Sequence, residues 1–191
     1  MAAHPDDVQI LRDVTAWRSW LDANEDSSEG VWLALAKKGV TEPTSLTYAE
    51  ALDEALCSGW IDGQRRARDE GTFRQLFTPR RARSIWSQRN VGLIERLEAE
   101  GRMRPRGAAE VERAKADGRW ERAYAGPATI EVPDDLAAAL ASVAGARERF
   151  DALPKQDRFI ALANLTTAAS SKTRVARLQR IVESLSTTKS S

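Results

Sequence analysis

The sequence predicts an α+β fold: a small antiparallel sheet of about three strands packed on helices, followed by a helical C-terminal portion. Three observations carry this. Residues 60–78 alternate and turn as a hairpin does, residues 31–37 form a short apolar run, and most other apolar residues recur at helical spacing. At 191 residues the chain fits one sizeable domain, or one domain with a small appendix. Its composition divides it into a core over residues 1–125, a Gly/Pro-containing linker over 126–133, and a helical region over 134–191.

Residues 1–12 are polar with few apolar positions and read as a loosely held lead-in. From Asp13 to Asn24, Val14, Trp17 and Leu21 form an amphipathic helical stripe with Trp20 beside it. Gly30 to Lys38 is short and apolar between glycines and reads as a buried strand, although its Ala and Leu content leaves a helix open. Thr47 followed by Glu50 is a capping box, Leu52, Ala55 and Leu56 form a buried face, and Gly59 stops that helix.

Strand alternation then places Trp60, Asp62 and Gln64 on one face, with Ile61, Gly63 and Arg65 on the other. Asp69–Thr72 is the turn, its carboxylates Asp69 and Glu70 in solvent. Residues 73–78 form the return strand, and Pro79 ends it. Ser84 is read as opening a helix whose apolar face holds Trp86, Leu93, Ile94 and Leu97, and a further helix runs from Ala108 to Asp117. Beyond the linker, helices start at Pro133 and Pro154, the second bearing Phe159, Ile160 and Leu162. Ser170 or Ser171 caps the last one, with Val175, Leu178, Val182 and Leu185 as its buried stripe. The polar tail after Leu185 reads as frayed.

Composition excludes several function classes. Twenty-nine basic residues stand against twenty-eight acidic ones, so bulk charge argues against a dedicated nucleic-acid protein. One cysteine forms no intramolecular disulfide and no CxxC pair, and one histidine, His4, leaves no His-based triad or His-rich metal site. No Walker loop, GxGxxG, GxSxG or HExxH is present, so neither a metal nor a cofactor is expected and no reaction is predicted. No basic and apolar leader opens the chain and no apolar run reaches membrane-spanning length, so the expected location is the cytoplasm.

The distinctive stretch is Cys57 to Asn90. It holds two of the six tryptophans, the only cysteine and eight arginines. Arg65, Arg66, Arg68, Arg74, Arg80, Arg81, Arg83 and Arg89 face three acids there, and Arg forks readily onto phosphate or carboxylate. Trp60, Asp62, Gln64, Thr78, Arg80, Ser84, Trp86, Ser87 and Asn90 together have the composition of a small-ligand pocket for an anion. Each also has an ordinary structural reading: both tryptophans in the core, Asp62 paired with an arginine such as Arg80, Ser84 capping a helix. Cys57 reads as a small apolar residue rather than a reactive thiol. Asp62 is the acid/base if a phosphorylated or carboxylated metabolite is turned over. The basic last helix, with Lys172, Arg174, Arg177 and Arg180, reads first as a solvated face and only then as a phosphate-backbone groove.

Several motifs in one order resemble the YdeI/OmpD-associated family, also called bacteriocin-protection proteins. They are E-A-L-x-E-A-L-C-S-G-W-I-D-G-Q at 50–64, F-T-P-R-R-A-R-S-I-W-S-Q-R-N at 77–90, G-R-M-R-P-R-G at 101–107 and A-K-A-D-G-R-W at 114–120. Leu153-Pro154 and the basic helix S-K-T-R-V-A-R-L-Q-R-I-V extend the likeness, which spans roughly residues 14–187. The resemblance implies protection against bacteriocins or cationic antimicrobial peptides, and association with an outer-membrane porin. That naming implies an envelope location, in tension with the cytoplasmic expectation.

Overall fold

The computed structural model describes His4 and residues 6–186; most of the polar tail lies outside the described residues. Among the described residues there are four strands and eight helices. They fall into two compact units, one comprising the chain up to Ser84 with Gly92–Arg113, the other Ile85–Val91 with the chain from Ala114 onward.

In the first unit, β1 (Val8–Gln9), β2 (Val31–Ala36), β3 (Trp60–Ala67) and β4 (Thr72–Pro79) form one sheet in the order β1-β2-β4-β3. The sheet therefore has four strands, not three, and is mixed. β1 pairs parallel with β2, Val8 opposite Trp32 and Gln9 opposite Leu33, whereas β2·β4 and β4·β3 are antiparallel. The extra strand comes from the segment expected to be a loose lead-in. Two residues carry no readable period, and main-chain pairing with the buried β2 supplies what the side chains do not signal. That segment is tied again further on, where the Thr44 hydroxyl donates to Leu11 O at 2.5 Å and Ser45 N donates to Arg12 O at 2.8 Å.

Every residue of β2 is buried, as its apolar run requires. The helix α1 (Val14–Asn24) is capped by Asp13, which accepts from Ala16 N at 3.0 Å, and buries Trp17 and Leu21. The capping box forms at the start of α2 (Tyr48–Cys57), which packs on β3 and on α1. Trp17 and Trp20 stack at 5.3 Å, and Trp60 meets both edge-on, at 6.4 and 5.8 Å. Phe77 completes the cluster 5.6 Å from Trp17. These rings form the centre of the first core.

The helix expected from Ser84 begins later, as α3 (Gln88–Ala99). Ser84 instead closes a turn, its hydroxyl accepting from Arg81 N at 2.9 Å. Ser87 is the residue whose hydroxyl caps, accepting from Asn90 N at 3.2 Å. Trp86 therefore precedes the helix and does not share a helical face with Asn90. The next helix, α4 (Pro105–Ala116), opens one turn earlier than expected because Pro105 suits a first helical position.

In the second unit, α5 (Asp134–Ala141), α6 (Ala146–Asp151), α7 (Lys155–Thr166) and α8 (Ser171–Ser186) close around Leu136, Leu140, Ala146, Phe150, Leu162, Leu165 and Leu185. Ser170 caps α8, accepting from Thr173 N at 3.1 Å. One residue expected on the buried stripe of the last helix lies outside instead: Val175 is 54% exposed. Trp86 packs 4.9 Å from Trp120 in this unit, and Ser87 bridges to Tyr124.

Candidate functional site

β4 leaves the sheet at Pro79, which has no amide hydrogen for a further ladder bond. The next residue turns back onto the end of α2, with Arg80 N donating to Gly59 O at 3.0 Å. A cleft of about 390 Å3 opens at this strand end, lined by Glu29, Thr78, Pro79, Arg80 and Arg81. Thr78 is half-buried opposite Ile61, Arg80 is only 5% exposed, and Arg81 faces solvent. Two guanidinium groups and a hydroxyl against one carboxylate give the wall a net positive charge. That donor set suits phosphate or carboxylate oxygens.

The nine residues expected to form a pocket are distributed as follows. Trp60, Asp62, Gln64, Thr78, Arg80 and Ser84 belong to the first unit; Trp86, Ser87 and Asn90 belong to the second. The cleft brings together Thr78 and Arg80 and adds Glu29 and Arg81, which sequence reasoning did not place there. Trp60 is fully buried in the tryptophan cluster, its Nε1 donating to Glu25 O at 3.3 Å. Asp62 is half-buried and accepts from the Tyr48 hydroxyl at 2.8 Å, not from Arg80. Gln64 is exposed, and its side-chain oxygen accepts from Arg66. Trp86 and Asn90 are buried and Ser87 is half-buried.

Gln64 parts from Asp62 because β3 carries a bulge. Asp62 stands opposite Phe77 but Arg65 opposite Gln75, so three steps on β3 match two on β4. One inserted residue breaks the two-residue alternation on which the shared face depended. Gln75 secures the irregularity by donating to Gly63 O at 3.0 Å and Gln64 O at 3.3 Å.

The arginine excess is also divided. Arg65 lies over the Phe73 ring at 3.9 Å and Arg66 over Trp32 at 5.3 Å. Arg68 pairs with Asp69 at 2.5 Å, and Arg74 with Asp6 at 3.3 Å. These four brace the hairpin. Asp69, exposed as expected, is nevertheless fixed in its turn. Bonds from Thr72 hold its carboxyl below the ordinary range.

A denser charge cluster escaped sequence reasoning. Glu54 on α2 is 2% exposed and accepts from Arg18 at 2.9 and 2.6 Å and from Arg102 at 2.7 Å, with Arg104 at 3.5 Å. Arg96 grips the adjacent Asp53 at 2.8 and 2.7 Å. Arg104 also bonds the Ser58 hydroxyl, and its backbone N donates to Cys57 O at 3.1 Å. Burial pushes the Glu54 carboxyl upward, and the hydrogen bonds and charges of Arg18 and Arg102 outweigh it, leaving the pKa lowered. The same pocket raises the buried Cys57 thiol to about 11, burial first and the Glu54 charge second. That agrees with an inert, packed cysteine.

Among the described residues, no group of three or more His, Cys, Asp and Glu side chains could hold a metal ion, and no helix is long and apolar enough to cross a membrane. A family model described as a domain of unknown function, DUF8412, matches residues 9–110, more than half of the chain. The chain belongs to the DUF8412 family. The DUF8412 region contains the sheet except Val8 of β1, together with the cleft and the Glu54 cluster. A second model, described as "Bacteriocin-protection, YdeI or OmpD-Associated", matches residues 129–187. The resemblance read from the sequence is thus found in the C-terminal helices, while the motifs at 50–64, 77–90 and 101–107 lie within the DUF8412 match. No curated protein and no solved structure matches the chain.

Within the DUF8412 region the structure gives two of those motifs a physical reason. Glu54, Cys57 and Ser58 of the first meet Arg102, Arg104 and Gly107 of the third. A Cβ on Gly107 would stand 2.1 Å from Cys57 O, a contact only glycine permits.

Proposed function

We propose that this chain binds a small anion in the cleft at the end of β4, and that binding serves a protective role of the kind the YdeI/OmpD-associated match suggests. The observation that carries the reading is the cleft wall itself: Arg80 and Arg81 beside Thr78, at the place where the strand ends and backbone groups leave the ladder. Arg80 is held by its surroundings, so little side-chain entropy remains to be lost when an anion arrives. Asp62 is not among the lining residues, so this proposal assigns it no proton transfer. Arg65, Arg66, Arg68 and Arg74 are engaged with rings and carboxylates, which favours one local anion site over a long phosphate-backbone track.

The test is a thermal-shift screen at low salt with inorganic phosphate, pyrophosphate, citrate, nucleotides and phospho-sugars. A ligand at 100 times its Kd adds about 2.7 kcal/mol of stability, readily seen in the midpoint. A flat screen overturns the small-anion reading and directs attention to a protein partner.

A further inference from the structure

A second cleft, of about 320 Å3, lies wholly within the C-terminal unit, and its two ends differ in chemistry. The floor is apolar: Ile130, Val132, Phe159 and Leu162. Leu162 belongs to the second core, and Ile130 and Val132 pack against it, so the cleft is a notch cut into that core. Phe159 is held edge-on to Tyr124 at 5.9 Å. The charged lining is Lys155 and Arg158 with one carboxylate, Asp151.

One stripe of α7 supplies both ends. Positions 155, 158, 159 and 162 follow the spacing that stacks side chains along one helix face, running from cations at the helix start to apolar groups a turn later. The local carboxylate does not neutralise the cations. Asp151 is taken by Arg147, whose Nε donates to Asp151 Oδ2 at 2.7 Å. Arg158 reaches only the Asp151 backbone carbonyl, at 3.3 Å. Among the described residues no carboxylate pairs with Lys155 or Arg158.

We propose that this notch binds a small monocarboxylate with an apolar body, its hydrocarbon against Ile130, Val132, Phe159 and Leu162 and its carboxylate between Lys155 and Arg158. The volume sits near the small end of ligand cavities, which run from roughly 300 to 1,000 Å3. Apolar burial gives such a ligand its affinity, and the charge pair fixes which end points outward. This site shares no residue with the cleft at the end of β4, and it stands or falls independently of that one.

The experiment is a methyl-detected NMR titration of the full chain with octanoate, with 1-octanol as the uncharged match and acetate as the head alone. Octanoate is expected to shift the Ile130, Val132 and Leu162 methyls saturably. 1-Octanol and acetate are expected to bind roughly tenfold more weakly or worse, since each lacks one half of the recognition. Lys155 is exposed and Arg158 only half-buried, so the Lys155→Ala/Arg158→Ala double variant keeps the fold, and it should lose octanoate affinity roughly tenfold while 1-octanol binds as before. Equal affinity for octanoate and 1-octanol, an unchanged double variant, or shifts confined to other methyls would each overturn the proposal.

Discussion

Gly107 has no side chain, yet it decides how α4 meets the end of α2. A Cβ there would lie 2.1 Å from Cys57 O and 3.0 Å from Leu56 O, both backbone atoms that cannot swing aside. Gly107→Ala is expected to cost about 2–3 kcal/mol, the range of an overpacked core, read as a lowered urea midpoint. Gly59 faces the same junction with φ at +70°, a conformation glycine adopts without strain. Cys57 beside them should be silent. With its thiol pushed up to about 11, on the order of one molecule in a thousand carries a thiolate at pH 8, so a disulfide reagent should label it only after denaturation. Rapid labelling of the native protein would contradict the burial described. The inertness of Cys57 was legible in the sequence, since a lone cysteine at the end of an apolar helix face has an ordinary reading. The need for Gly107 was not, because a close approach between backbones forty-eight or more residues apart leaves no local pattern.

At the scale of elements, α1, α2 and the turn between α3 and α4 are joined by charge rather than by apolar contact alone. Arg18, Glu54 and Arg102 come from these three places. Because the folded pKa of Glu54 lies below its ordinary 4.5, its contribution is fully present above that value. It is lost as pH falls through the lower, folded value. Glu54→Gln should cost about 2–3 kcal/mol at pH 7, less than a fully enclosed pair because Arg18 is half exposed and water screens it. The variant's stability should also fall less steeply between pH 5 and 3, measured by urea titration at each pH. An unchanged acid slope would remove Glu54 from the account. Most elements were readable from the residues: the capping box of α2, the Asp13 start of α1, the hairpin and the helices α5, α7 and α8, but not the short α6. The failures have physical causes. β1 is too short to show a period, and the β3 bulge is a property of pairing rather than of β3 alone. Glu54 reads as a solvent residue until its arginine partners, thirty-six and forty-eight positions away, are seen.

At the scale of the molecule, most of the first unit lies within the DUF8412 match and the second unit contains the 129–187 match, and each unit has its own core and its own cleft. A net charge of +1 gives no general attraction to polyanions, so any anion recognition must be local. Of the residues expected in one pocket, the first-unit cleft gathers Thr78 and Arg80, and the sequence signal that pointed there was the F-T-P-R-R motif rather than the tryptophans. The most direct measurement is isothermal titration, at low salt, of the parent and of Arg81→Ala with the anion that stabilises the parent most. Arg81 is exposed, so its removal leaves the midpoint of unfolding unchanged. The account predicts that the variant binds roughly tenfold more weakly, as expected for one charged hydrogen-bonding partner. Equal affinity in the two proteins would contradict it and place anion binding elsewhere.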